Sequence, residues 1–147
     1  MLISLLLALS VQTAPSLEAR GIILMVSGRT AYLTPTDSIE RKGAIRRATL
    51  VEVYPAAVEG WEIVRRDSIV ELDCASERIR VLQTQDFDDE DRKRASRLQG
   101  RGGWAPLDQG DFPRRILLSM TCSDTNLGIF SHDSLAAEIR RLRARWR

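Results

Sequence analysis

The chain has 147 residues and is poor in several residue types that announce a chemistry. It holds one histidine, His132, and two cysteines, Cys74 and Cys122. Neither cysteine sits in a C-x-x-C pair, so a zinc site of the usual spacing is excluded and no metal or other cofactor is expected. Aromatic residues are only 5%. No G-x-S-x-G, H-E-x-x-H or comparable catalytic motif occurs, so a non-enzymatic role is expected. Beyond the amino terminus no apolar run reaches the roughly 18 residues needed to span a bilayer, so no integral membrane segment is expected in a processed chain. Lysine is nearly missing too. Lys42 and Lys93 are the only two, against 20 arginines spread through every segment. That spread reads as codon bias rather than as a nucleic-acid surface, and no nucleic-acid partner is expected.

What is present suits a single globular domain with a real core: 44% hydrophobic and 29% charged residues, net charge +2. Met1 to Val11 (MLISLLLALSV) has the length of a signal-peptide h-region, followed by small residues at Thr13, Ala14 and Ala19. Residues 1–19 are therefore expected to be a signal peptide, and the chain periplasmic or secreted. No cysteine lies nearby, so lipid attachment of the bacterial lipoprotein kind is not expected. In an exported chain, Cys74 and Cys122 read as a disulfide; in a cytosolic one, the same pair reads as two buried thiols.

The pattern between Gly21 and Phe87 is mostly strand. Ile22–Val26 turns at Ser27-Gly28 into Thr30–Leu33, which Pro35 stops. Ala44–Tyr54 alternates, with Thr49, Val51 and Val53 on the greasier face. Trp61–Asp73 is the next strand. Neither of its faces is purely apolar, and a bulge or turn at Arg66-Asp67 would split it. Arg78–Phe87 alternates well after a turn at Ala75-Ser76-Glu77.

Asp88–Arg97 has acids leading and bases trailing, which suits a short helix or an insertion in the sheet. Asp86, Asp88, Asp89, Glu90 and Asp91 invite a calcium reading. They lack the turn glycine of an EF-hand loop, and Arg92, Lys93 and Arg94 follow them directly. Trp104–Leu107 returns to the core. Asp111 caps a helix that ends at Cys122, with Ile116, Leu117, Met120 and Thr121 on its buried side.

After a linker at Asp124–Gly128, Ser131 or Asp133 caps a last helix. Leu135, Ile139, Leu142 and Trp146 fall on one stripe of it. Arg140, Arg141, Arg143, Arg145 and Arg147 make this end basic. The helix reads either as one that docks its stripe on its own sheet or a sister copy, or as one that lies on an anionic envelope surface.

The order of landmarks resembles the surface-adhesin protein E-like family of bacterial envelope proteins. The matching pieces are Asp37-Ser38-Ile39 with Arg41 and Gly43, and Val51-Glu52-Val53. Ser68, Glu71-Leu72-Asp73-Cys74, Arg78, Arg80 and Leu82 form the clearest block, and Trp104-Ala105-Pro106-Leu107, Gly110 and Cys122 complete it. The resemblance implies an antiparallel sheet backed by a helix, bridged by Cys74 and Cys122, on the cell-envelope side. The family's namesake is an adhesin for host matrix proteins. The charged Asp86–Gly103 segment and the arginine-rich tail depart from the pattern, and no binding residues carry across.

The expected architecture is α+β: a single antiparallel sheet of about five to six strands, packed by a helix, with an extra C-terminal amphipathic helix. Residues 20–124 form the family-like domain, and 125–147 form the linker and basic helix. The expected role is binding, to protein or to an anionic envelope surface. The alternative is a periplasmic accessory protein whose C-terminal stripe is a seam between identical copies.

Overall fold

The computed structural model describes residues 20–55, 63–95, 103–107, 112–123 and 131–146. The expected signal peptide, Trp61, the Asp111 cap, the Asp124–Gly128 linker and Arg147 lie outside the described residues.

β1 (Arg20–Ser27) and β2 (Thr30–Pro35) form a hairpin with Ser27 opposite Thr30. Its two-residue turn is Gly28-Arg29. Gly28 takes φ +58°, a conformation that glycine adopts without strain, in the first central position of a tight hairpin turn. A 3-10 turn (Thr36–Ser38) leads into β3 (Glu40–Lys42), and β4 (Ile45–Val53) follows. β2 and β3 share one edge of β4, each pairing with a different end of it. Ser38 fills the gap between them. Its hydroxyl accepts the Thr49 N–H at 3.1 Å and donates to the Pro35 carbonyl at 2.7 Å.

β5 runs Arg65–Asp73 and β6 runs Arg78–Phe87. β5 is unbroken at Arg66-Asp67, contrary to the expected split, because its ladder with β4 is continuous from Arg65 to Asp73. The irregularity falls elsewhere. Ile69 opposes Gln83 while Val70 opposes Val81, which leaves Leu82 as an extra residue in β6. The turn between the strands is tied by Asp73, whose carboxylate accepts the Ala75 and Ser76 N–H groups and the Ser76 hydroxyl. Those bonds hold its pKa below the usual aspartate value.

β7 (Lys93–Arg94) and β8 (Ala105–Pro106) add short pairs to β6. Of the two readings of Asp88–Arg97, the short helix does not form in the described part, since β7 lies there and pairs with β6. α1 (Phe112–Cys122) ends at the second cysteine as the pattern requires. β9 (Ser131–Ser134) pairs with β1, and α2 (Leu135–Arg145) follows. Ser134 caps α2, rather than Ser131 or Asp133, by accepting the Ala137 N–H at 3.2 Å. Ser131 is drawn instead into the ladder with β1.

All pairings are antiparallel, in the order β7-β6-β5-β4-β2-β1-β9, with β3 on β4 and β8 on β6. Among the described residues, six of these strands have four residues or more, so the α+β architecture stands with a wider sheet.

The core has two halves, one on each face. Ile23, Ala48, Leu50, Val70 and Leu72 pack on the face with Met120 and Cys122 of α1. Ile22, Ala31, Leu33, Val51 and Val53 pack on the other face under Leu135, Ile139 and Leu142 of α2. The expectation of one greasier face on β4 is therefore corrected, for Ala48 to Val53 is buried throughout. The α2 stripe lies on the protein's own sheet, with Trp146 at its border. Burying three such side chains contributes roughly 5–9 kcal/mol before entropy is counted. That exceeds what exposed ion pairs supply, so the stripe sets where α2 sits.

Candidate functional site

The two cysteines meet as expected. Cys74 follows the last residue of β5, Cys122 closes α1, and a disulfide joins them across 48 residues of sequence. The bridge fastens α1 to the start of the β5–β6 turn. Cys74 is further fixed by its N–H, which donates to the Ala44 carbonyl at 3.1 Å. A cleft of about 90 Å³ opens beside the bridge, lined by both cysteines with Leu107, Glu77, Arg115 and Ser119 among its walls.

The C-terminal arginines have different surroundings. Arg140, Arg141 and Arg145 are exposed. Arg141 donates to both oxygens of Glu138, at 2.8 and 2.6 Å. Glu138 itself is fully buried and also takes the Ser131 hydroxyl, so it ties β9 to α2. Arg143 is drawn inward. It donates to the Asp89 carbonyl at 2.6 Å and lies 3.7 Å from Asp91. Among the described C-terminal arginines, Arg140 and Arg145 therefore face outward, while Arg141 is exposed but paired with Glu138.

The acidic run is a folded turn. The Asp88 side chain is 1% exposed, and its carboxylate accepts the Glu90 and Arg92 N–H groups at 3.0 and 2.9 Å. The Arg92 and Arg94 guanidinium groups donate to its other oxygen at 2.9 and 2.8 Å. Burial alone would raise its pKa; the N–H and guanidinium donors of Arg92 overcome that and hold it at about 2. An aspartate bonding its own backbone in this way competes with helix, which explains the missing helix. Asp91 turns the chain with φ +58°. The donors around Asp88 are all cations or N–H groups, an arrangement that repels a metal.

Sequence reading missed two rows of charge that the sheet register assembles. On the α1 face, Glu52 of β4, Arg66 of β5 and Asp86 of β6 are successive cross-strand partners. Arg66 grips Asp86 with a two-pronged bond, Nε to Oδ1 at 2.7 Å and a terminal nitrogen to Oδ2 at 3.1 Å. Glu52, Arg66 and Asp86 are all buried. The bond to Asp86 raises the Arg66 pKa further, against burial. On the α2 face, Glu40, Arg47, Glu71 and Arg80 are partners across β3, β4, β5 and β6. Glu71 accepts from Arg47 at 2.6 Å and from Arg80 Nε at 2.6 Å. Burial would raise the Glu71 pKa, but these two guanidinium groups bring it below the ordinary glutamate value. Arg80 also lies 4.7 Å from the Trp104 ring centroid.

A third group sits where α2 meets the acidic turn. Arg65 lies 3.8 Å over the Phe87 ring, 3.1 Å from Asp67 and 3.2 Å from Asp91. Burial pushes the Asp67 carboxyl up to about 6, although Arg65 pulls the other way. The buried Asp67 Oδ1 faces Arg65 Nε at 3.1 Å as an ion pair but out of line for a hydrogen bond, so this carboxylate is poorly solvated when charged.

No family model matches this chain, and no curated protein and no solved structure matches it either.

Proposed function

We propose that the protein is an exported envelope protein whose role is binding rather than catalysis, built on a disulfide-pinned α+β domain like that of the surface-adhesin protein E-like family. The Cys74–Cys122 disulfide carries this reading, because such bridges persist in oxidising compartments and are rare in the cytosol. The apolar start of the sequence supports it. No helix among the described residues is long and apolar enough to cross a membrane. The charged rows are engaged internally, which favours structural duty for them. Arg140 and Arg145 remain as outward cations, with Arg141 beside them but paired to Glu138, and the exposed pair suits an anionic envelope surface.

The test is the intact mass of the protein from its own cells, non-reduced and with thiols blocked at lysis. A shortened chain, lighter by two hydrogens and free of label, is expected. A full-length chain with two labelled cysteines would overturn the export reading. The exposed cations are tested separately, with the double change Arg140→Ser and Arg145→Ser, which spares the Arg141–Glu138 pair. Retention on vesicles of anionic lipid should fall several-fold and become less sensitive to salt. Unchanged retention would remove these cations from the account.

A further inference from the structure

The cleft beside the bridge sets the Cys74–Cys122 disulfide apart from a bond sealed in a core. Both cysteines line it, and neither is fully buried. Leu107 supplies an apolar wall. Glu77, Arg115 and Ser119 supply polar ones. Arg115 reaches Glu77 at 3.3 Å, with side chains 38% and 71% exposed, so that pair is weak and its guanidinium is free to turn toward an entering anion. Asp73 also borders the cleft, but its carboxylate is engaged by the turn N–H groups of Ala75 and Ser76.

The two sulfurs are not equivalent. Cys122 is the last residue of α1, where the negative end of the helix dipole opposes a thiolate. Cys74 leaves a strand and carries no such penalty. In thiol–disulfide exchange the more acidic thiol departs faster, so attack falls on Cys122 and Cys74 leaves.

We infer that this bridge is a thiol–disulfide exchange site in the folded protein, open to a dithiol oxidoreductase. The partner's thiolate forms a bond to Cys122 Sγ. The Cys74–Cys122 bond breaks, and its electron pair leaves on Cys74 Sγ, which takes a proton from water. The partner's second thiol, deprotonated, then displaces Cys122 Sγ and closes the partner's own disulfide. The protein gains two electrons and two protons, and the partner loses them. α1 then loses its covalent tie to the sheet and keeps its packing and the exposed Arg115–Glu77 contact. The inference rests on the bridge rather than on where the chain resides.

The test uses the oxidised full-length protein and reduced glutathione as the probe, under native conditions. Samples are quenched with N-ethylmaleimide and mapped by peptide mass. Glutathione is expected on Cys122 and maleimide on Cys74. The rate should rise in proportion to glutathione thiolate and exceed the global unfolding rate, measured on the same protein, by at least about tenfold. Arg115→Gln should slow it roughly threefold by removing a charge that attracts the thiolate. Exchange no faster than unfolding at any glutathione concentration would overturn the inference, as would glutathione on Cys74. An unchanged rate in Arg115→Gln would remove the guanidinium from the site. A cytoplasmic location in cells would defeat the export reading without touching this measurement.

Discussion

The two charged rows use the same chemistry in different surroundings. On the α1 face the Arg66 and Asp86 side chains are 10% and 2% exposed. On the α2 face Glu71 is as enclosed, at 6%, but its arginines are open to water, at 26% and 34%. In the first row both partners are enclosed, with Glu52 on the other side of Arg66. In the second, the cations can return to water when the anion is gone. Removing one member of a sealed pair leaves a charge with nowhere to go; removing the anion from an open row does not.

Deletion experiments should separate the rows. Asp86→Ala, which takes the two-pronged bond from the enclosed Arg66 and leaves Glu52 beside it, is expected to destabilise the fold by about 3 kcal/mol in urea unfolding. A loss below about 1 kcal/mol would mean that the first row is not sealed. Glu71→Ala should cost only about 1 kcal/mol, with Arg47 and Arg80 relaxing outward. Equal losses at the two sites would abolish the contrast.

Asp67 sits between these cases. Its folded pKa is raised from 3.8 to about 6, so the folded state binds its proton more tightly than the unfolded state. Its contribution is therefore fully present below the unfolded value and is lost as pH rises through 6. Stability should climb by about 1–3 kcal/mol as pH falls from 6.5 toward 4.5, before acids with depressed values such as Asp88 and Glu71 begin to protonate. In Asp67→Asn that climb should vanish, with the gain already present at pH 7. A variant with the same pH profile as the parent would show that Asp67 is not the titrating group. The smallest effect belongs to Arg143→Gln, which removes one outer tie between α2 and the acidic turn. It should shift stability by no more than about 1 kcal/mol, because the Leu135–Leu142 stripe holds the helix.

Much of the sheet was legible because period-2 alternation is local. Arg78–Phe87 appears at its expected bounds. The helix ending at Cys122 and the α2 stripe were legible because the 3.6-residue period of a helix is local too. The disulfide was legible from two cysteines once export was expected. The acidic segment was open between a short helix and an insertion in the sheet, and the helix fails because a single carboxylate, Asp88, supplies the backbone with bonds that helix periodicity does not anticipate. The rows were not legible at all. Glu52, Arg66 and Asp86 are separated by 14 and 20 residues, and only the register brings them side by side. The signal that they existed was the mixed character of β5, whose two faces both carry charge. A central strand that is polar on both faces and still buried must be paired with charge from its neighbours.

The antiparallel contact between β1 and β9 has a temporal side. The first strand of the sheet to be synthesised gains its outer neighbour only when residues 131–134 exist. Ile22, Leu33, Val51 and Val53 gain their cover only when α2 has been made. A growing chain therefore carries half of its core bare for most of its length. Among the described elements α2, more than the first hairpin, decides when that half of the core is closed.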